Sequence, residues 1–146
     1  MSFKIIAHRG LRDGPNPEKE NKPSEILKTI DFGFDVEVDL RVSNKTLYLG
    51  HDKEKYKIDF SFLNDKMWIH CKNLEAVNVM KETSLNWFWH DRDAITLTSK
   101  GIIWCYPGVY IKNGITVECG KYFPLQENIL GVCTDYPLEW ENLRSN

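Results

Sequence analysis

Two carboxylates stand two residues apart inside an apolar run. In FDVEVDLRV (34–42), Glu37 and Asp39 alternate with Val36, Val38 and Leu40. On a β-strand that spacing puts both acids on one face and the apolar side chains on the other. Adjacent carboxylates repel unless a cation lies between them. Paired oxygens of this kind suit Mg²⁺, Ca²⁺ or Mn²⁺. An exposed edge strand, or ion pairs to Arg41 or a lysine, would also satisfy them.

The histidines follow a pattern of their own. His8, His51, His70 and His90 each fall at or near the end of a strand-like apolar run. In parallel α/β folds that edge of the sheet gathers ligands and chemistry. Taken singly, each fits a hydrogen-bonded structural histidine as well. In MWIHCK (67–72), Trp68, His70 and Lys72 share a strand face. His8 and Arg9 add a titratable group and a fixed cation after the first run. Carboxylates, imidazoles and cations together are what metal-assisted attack on a phosphate ester needs.

The elements that must hold these groups are short. The chain has 146 residues, with 19 Lys and Arg against 21 Asp and Glu, a net charge of −2. That length fits one domain over residues 1–146 with its own core. The balance argues against a nucleic-acid protein with a broad basic face. No run approaches the roughly 18 apolar residues of a membrane helix, and the N-terminus lacks a signal-peptide core. A soluble cytoplasmic protein is expected. Cys71, Cys105, Cys119 and Cys133 are at least 14 residues apart, which excludes the paired spacing of structural zinc sites. They read as buried reduced thiols.

Runs at 3–8, 34–42, 46–51, 67–72, 86–90, 101–106, 115–119 and 131–134 are rich in β-branched and aromatic residues and read as strands. Residues 23–32, opened by Pro23 and stopped by Gly33, read as a helix with Ile26, Leu27 and Ile30 inward. Residues 74–82, capped by Asn73, read as a second, with Leu74, Val77 and Met80 inward. A short helix from Pro137 would bury Leu138 and Leu143. The first half therefore alternates as in an α/β fold. Connections in the second half are mostly too short for a crossover helix. TSKG (98–101) and KNG (112–114) read as turns that place their glycines at special backbone angles.

In order, HRG (8–10), EN (20–21), EVD (37–39) and GHD (50–52) resemble the signature of the glycerophosphodiester phosphodiesterase family. GVCTDYP (131–137) is similar to the motif that closes the family's last strand. The resemblance is densest over 5–52 and weak between about 85 and 130. It implies a TIM-type barrel with the site at the C-terminal strand ends, and hydrolysis of a phosphodiester with one divalent cation. On that resemblance Glu37 and Asp39 hold metal, with Glu20 a further ligand or a partner of one. His8 and His51 form the acid–base pair, in an order left open. Arg9 neutralises phosphate, and Lys72 stabilises the transition state. A neighbouring substrate hydroxyl as nucleophile would give a cyclic phosphate first, as in the related venom phospholipases D.

Three departures qualify the resemblance. His70 stands where the family carries a third acid. As a ligand it favours Mn²⁺, Fe²⁺ or Zn²⁺ over Mg²⁺ and Ca²⁺; as no ligand it leaves the metal weak or absent. Residues 52–66 are shorter than the family's insertion, so a more open site is expected, suited to a large or polymeric phosphodiester. Full barrels usually need 200 residues or more. A reduced α/β barrel of the TIM type, with shortened or missing outer helices and a homodimer covering the exposed apolar surface, is the expectation. His90 could touch substrate, and Trp104 with Tyr106 could line the pocket, although plain packing suits the aromatics better. Asp135 reads as a cap on the final helix. A domain that binds a phosphorylated ligand or glycan without turnover is the competing reading, favoured by His70.

Overall fold

The computed structural model describes residues 2–125 and 128–145. Alternation builds its centre. β2 (Asp35–Ser43) is long enough to pair with β1 (Lys4–Ala7) and β5 (Met67–Cys71) over its first half and with β3 (Thr46–Leu49) over its second. Val36, Val38 and Leu40 point outward into a core with Ile26 of α1 (Pro23–Asp31) and with Ala76 and Met80 of α2 (Leu74–Met80). Glu37 and Asp39 point the other way, as the period of two requires.

Parallel pairing links β6 (Trp87–Phe88), β5, β2, β1, β10 (Gly131–Thr134), β9 (Gly114–Val117) and β8 (Ile103–Cys105) in that order. Three antiparallel pairings complete the sheet: β3 on β2, β4 (Tyr56–Ile58) on β3, and β7 (Ile95–Leu97) on β8. The strip curls, so that Trp104 of β8 meets Phe88 of β6 at 4.6 Å and Trp68 of β5 at 5.6 Å between ring centroids. These rings, with Ile6, Ile115 and Cys133, fill the inside of the curl.

The expected reduced TIM-type (β/α) barrel is not what forms. Among the described residues there are ten strands and three short helices, in a mixed sheet curled into a half-barrel. The curl does not close into a barrel: among the described residues β6 pairs with β5 alone, and the far side of β8 is taken by β7. After β2, where a (β/α) unit would carry a helix, the chain makes the β3–β4 meander instead. No helix follows β8 or β9 among the described residues. No helix is long and apolar enough to cross a membrane among those residues.

The helices turn slightly differently from the sequence reading. Glu25, Ile26 and Thr29 are the buried positions of α1, and Leu27 is 48% exposed. In α2, Leu74 is exposed while Ala76 and Met80 are buried. α3 (Pro137–Arg144) buries Trp140, whose indole N–H donates to Gly120 O, and leaves Leu143 in solvent. Gly101 takes the positive φ expected of TSKG, whereas in KNG it is Asn113 that does so.

Candidate functional site

β2, β5 and the turns that follow β1, β3 and β6 deliver polar side chains to one end of the curl. A cleft of about 360 Å³ there is lined by His8, Arg9, Glu37, Asp39, His51, His70, Lys72, His90 and Trp104. Every candidate site residue except Glu20 thus lies on one surface.

Two tight turns hold the acids. His8, Arg9 and Gly10 form a single helical turn after β1, with Arg9 in the left-handed region at φ 54°. A non-glycine residue there is strained by about 1–3 kcal/mol and persists only where its surroundings fix it. They do: Arg9 N–H donates to Glu37 Oε1 at 2.9 Å, and Asn21 N–H donates to Arg9 O at 2.9 Å. Gly10 must be glycine, because a Cβ would lie 2.7 Å from Ile26 Cγ1. Asn21, also at positive φ, clasps Asp39 from both sides. Its Nδ2 donates to Asp39 Oδ2, and its Oδ1 accepts from Asp39 N–H, each at 2.9 Å. Glu20 stands outside the acid cluster and accepts from Arg9 Nη1 at 2.8 Å. It is not one of the three ligand atoms that cluster at Glu37, Asp39 and His70.

His70 faces both acids. Its Nε2 lies 3.0 Å from His90 O. A carbonyl only accepts, so Nε2 carries a proton. Nδ1 is then the atom that lies 3.6 Å from Glu37 Oε2 and 3.4 Å from Asp39 Oδ1, at ion-pair rather than hydrogen-bond distance. Burial alone would lower the pKa of His70, but Asp39 and Glu37 prevail and push it up to about 9. Burial would raise Asp39, yet His70, Asn21 and Arg9 hold it well below the usual carboxylate range. Asp39 Oδ1 is buried and accepts no hydrogen bond. An orphaned oxygen beside a carboxylate and an imidazole nitrogen, all within 4.8 Å of one another, fits a divalent cation.

His8 sits on the other flank. Its Nδ1 is 2.7 Å from Asp135 Oδ1 and 3.7 Å from Cys119 Sγ, leaving Nε2 for the cleft. Burial would lower its pKa, but Asp135, the Cys119 contact and Glu37 raise it well above the usual histidine value. Asp135 therefore orients His8 instead of capping α3, whose start carries no side-chain cap. His51 follows β3, half-exposed, with Nδ1 2.8 Å from Asp52 Oδ1. Gly50 before it has no room for a Cβ, which would overlap Lys53 O. Lys72 Nζ makes no hydrogen bond or ion pair among the described residues. His90 Nε2 donates to Asp93 O. Trp104 is 3% exposed and packs mainly on Phe88 and Trp68.

Sequence reasoning assigned no role to Asn21, and none beyond burial to Cys119. Asn21 was within sight, since it is the second residue of the EN motif. Cys119 gave no local signal. Searches against protein-family models, curated proteins and solved structures find no match to this chain.

Proposed function

We propose that the chain hydrolyses a phosphodiester in this cleft. The observation that carries the reading is the convergence on one sheet edge of two histidines, a buried carboxylate pair and the uncommitted Lys72. Mere binding has no use for an acid–base pair. Glu37, Asp39 and His70 would hold one divalent cation, whose charge would offset that of the phosphate. With an imidazole among the ligands, Mn²⁺ is favoured over Mg²⁺ or Ca²⁺.

The chain's own residues divide the remaining work. His8, held by Asp135 and biased toward imidazolium, presents Nε2–H to the leaving alcohol as general acid. His51, on the solvent side and steadied by Asp52, takes the proton of the attacking water or hydroxyl. Lys72 supplies positive charge to the phosphoryl oxygens, and Arg9 adds what its bonds to the acids leave free. The open half-barrel suits a large or polymeric diester. The four cysteines are free, which fits the cytoplasm. The exposed Trp89, Ile95 and Leu97 along the β7 edge would be covered in a homodimer.

One observation favours the second reading. The His70 imidazolium already offsets the Glu37–Asp39 pair, so the fold needs no metal to bind a phosphorylated ligand or glycan without turnover. An assay of bis(p-nitrophenyl) phosphate and natural phosphodiesters with Mn²⁺, Mg²⁺, Ca²⁺ and Zn²⁺ separates the two. Metal-dependent turnover that is lost in His8→Ala and Glu37→Ala supports hydrolysis. No turnover with any metal supports the binding domain, and equal activity in the variants rejects this cleft.

A further inference from the structure

A second trio of ligand atoms lies on the far side of β1. His8, Asp135 and Cys119 follow β1, β10 and β9, three neighbouring parallel strands that end at the same edge. Their donor atoms all lie within 4.8 Å of one another. Orienting His8 requires only Asp135. A thiol at 3.7 Å from the same ring nitrogen adds nothing to that task, yet it completes a nitrogen, sulfur and oxygen donor set. The other three cysteines are buried, and Cys119 alone is half-exposed.

We propose that His8, Cys119 and Asp135 form a second cation site, for a thiophilic divalent ion of the Zn²⁺ class, separate from the Glu37–Asp39–His70 cluster. The spans agree with tetrahedral coordination. Zinc bond lengths of about 2.3 Å to sulfur and about 2.05 Å to nitrogen put those two donors roughly 3.6 Å apart. The 3.7 Å between Cys119 Sγ and His8 Nδ1 needs almost no change. The 2.7 Å between Nδ1 and Asp135 Oδ1 must open to roughly 3.3 Å, as the ion takes the place of the shared proton. Binding releases that proton and the thiol proton of Cys119 to solvent. Three protein ligands leave a fourth position for water or a ligand oxygen. The two sites then divide ions by softness: oxygen-rich on the β2–β5 flank, sulfur-bearing on the β9–β10 flank. If the proposed hydrolysis is correct, an ion here also removes His8 as the acid, so Zn²⁺ would inhibit.

Cobalt reports the site without turnover, which keeps this test apart from that of hydrolysis. Adding Co²⁺ to the full chain should produce a sulfur-to-cobalt charge-transfer absorption, reversed by Zn²⁺ and not by Mg²⁺. The band should persist in Glu37→Gln, vanish in Cys119→Ser, and need more than about tenfold higher Co²⁺ in Asp135→Asn. Absence of the band in the wild type, or its survival in Cys119→Ser, overturns the proposal. A measurement on the wild type covers the case in which those variants misfold. Zn²⁺ should slow iodoacetamide alkylation of Cys119, mapped by mass spectrometry, about tenfold or more, and an unchanged rate rejects the site.

Discussion

The two flanks of β1 hold their polar groups by different means. On the β2–β5 side the acids are locked before any ion arrives. Glu37 accepts from the strained Arg9 backbone, Asp39 is clasped twice by Asn21, and α1 and α2 pack behind the strand. On the β9–β10 side, one 2.7 Å contact and one weak sulfur contact join three side chains. No helix lies between β8 and β10 there among the described residues. The difference bears on what each flank can do. A cluster of buried charges held by many bonds is rigid and costly to disturb, whereas a sparse one can exchange a proton for an ion.

That contrast is broken most directly by truncation. Asp39→Ala should cost about 3–5 kcal/mol in chemical denaturation, because Asn21, Arg9 and His70 each lose one of their partners at a buried site. Asp135→Ala should cost about 1–3 kcal/mol, the loss of one partly buried hydrogen bond. Equal losses would mean that the two flanks are held alike.

A pH series probes the same contrast through His70. Its folded pKa of about 9 lies above the unfolded value near 6.5, a difference worth on the order of 3 kcal/mol. A raised histidine stabilises the fold fully below pH 6.5 and loses that contribution as pH rises through 9. Tm should therefore fall between those values in the metal-free protein, and His70→Gln should remove much of the fall. A flat Tm across the window would show that the acids do not hold an imidazolium. His8 carries the same sign, so the residual slope in His70→Gln reports the other flank.

Asp135→Asn asks whether the sparse flank tunes catalysis. Asparagine keeps the shape but removes the charge that raises His8. If hydrolysis is found, its rate should drop about tenfold, and the alkaline limb of the pH–rate profile should move to lower pH. An unmoved limb would leave Asp135 with a packing role only.

Much of the locked flank was legible in the sequence, because it depends on local periodicity. Val36 and Val38 alternate with Glu37 and Asp39 whatever the tertiary fold, and strand geometry alone sends them to opposite faces. The half-barrel was not legible, since the expected barrel came from a resemblance in motifs rather than from the connections. One signal against a closed (β/α) barrel was present: only residues 43–45 separate the runs 34–42 and 46–51, and in the fold Asn44 and Lys45 alone lie between β2 and β3. Both take positive φ, as a two-residue hairpin turn demands. An antiparallel hairpin after β2 leaves no place for the helix of a (β/α) unit. The sparse flank was illegible for another reason. Asp135 and Cys119 are 127 and 111 residues from His8, and only the parallel order β1–β10–β9 brings them together.

The smallest effect tests whether the helix behind β2 supports the locked cluster. Asn73 Oδ1 caps α2 by accepting from Ala76 N–H, and the same side chain bonds both backbone groups of Val42 near the far end of β2. It thus ties a helix start to the strand that carries both acids. Asn73→Ala should cost about 1 kcal/mol, the usual worth of an N-cap, in a denaturant midpoint with unchanged slope. If β2 is held chiefly by the Arg9 and Asn21 clasps, Mn²⁺ affinity measured calorimetrically should change less than about twofold, below 0.5 kcal/mol. A tenfold loss of affinity would instead make α2 the element that aligns Glu37 and Asp39, and the rigidity of this flank would then belong to its helices rather than to its turns.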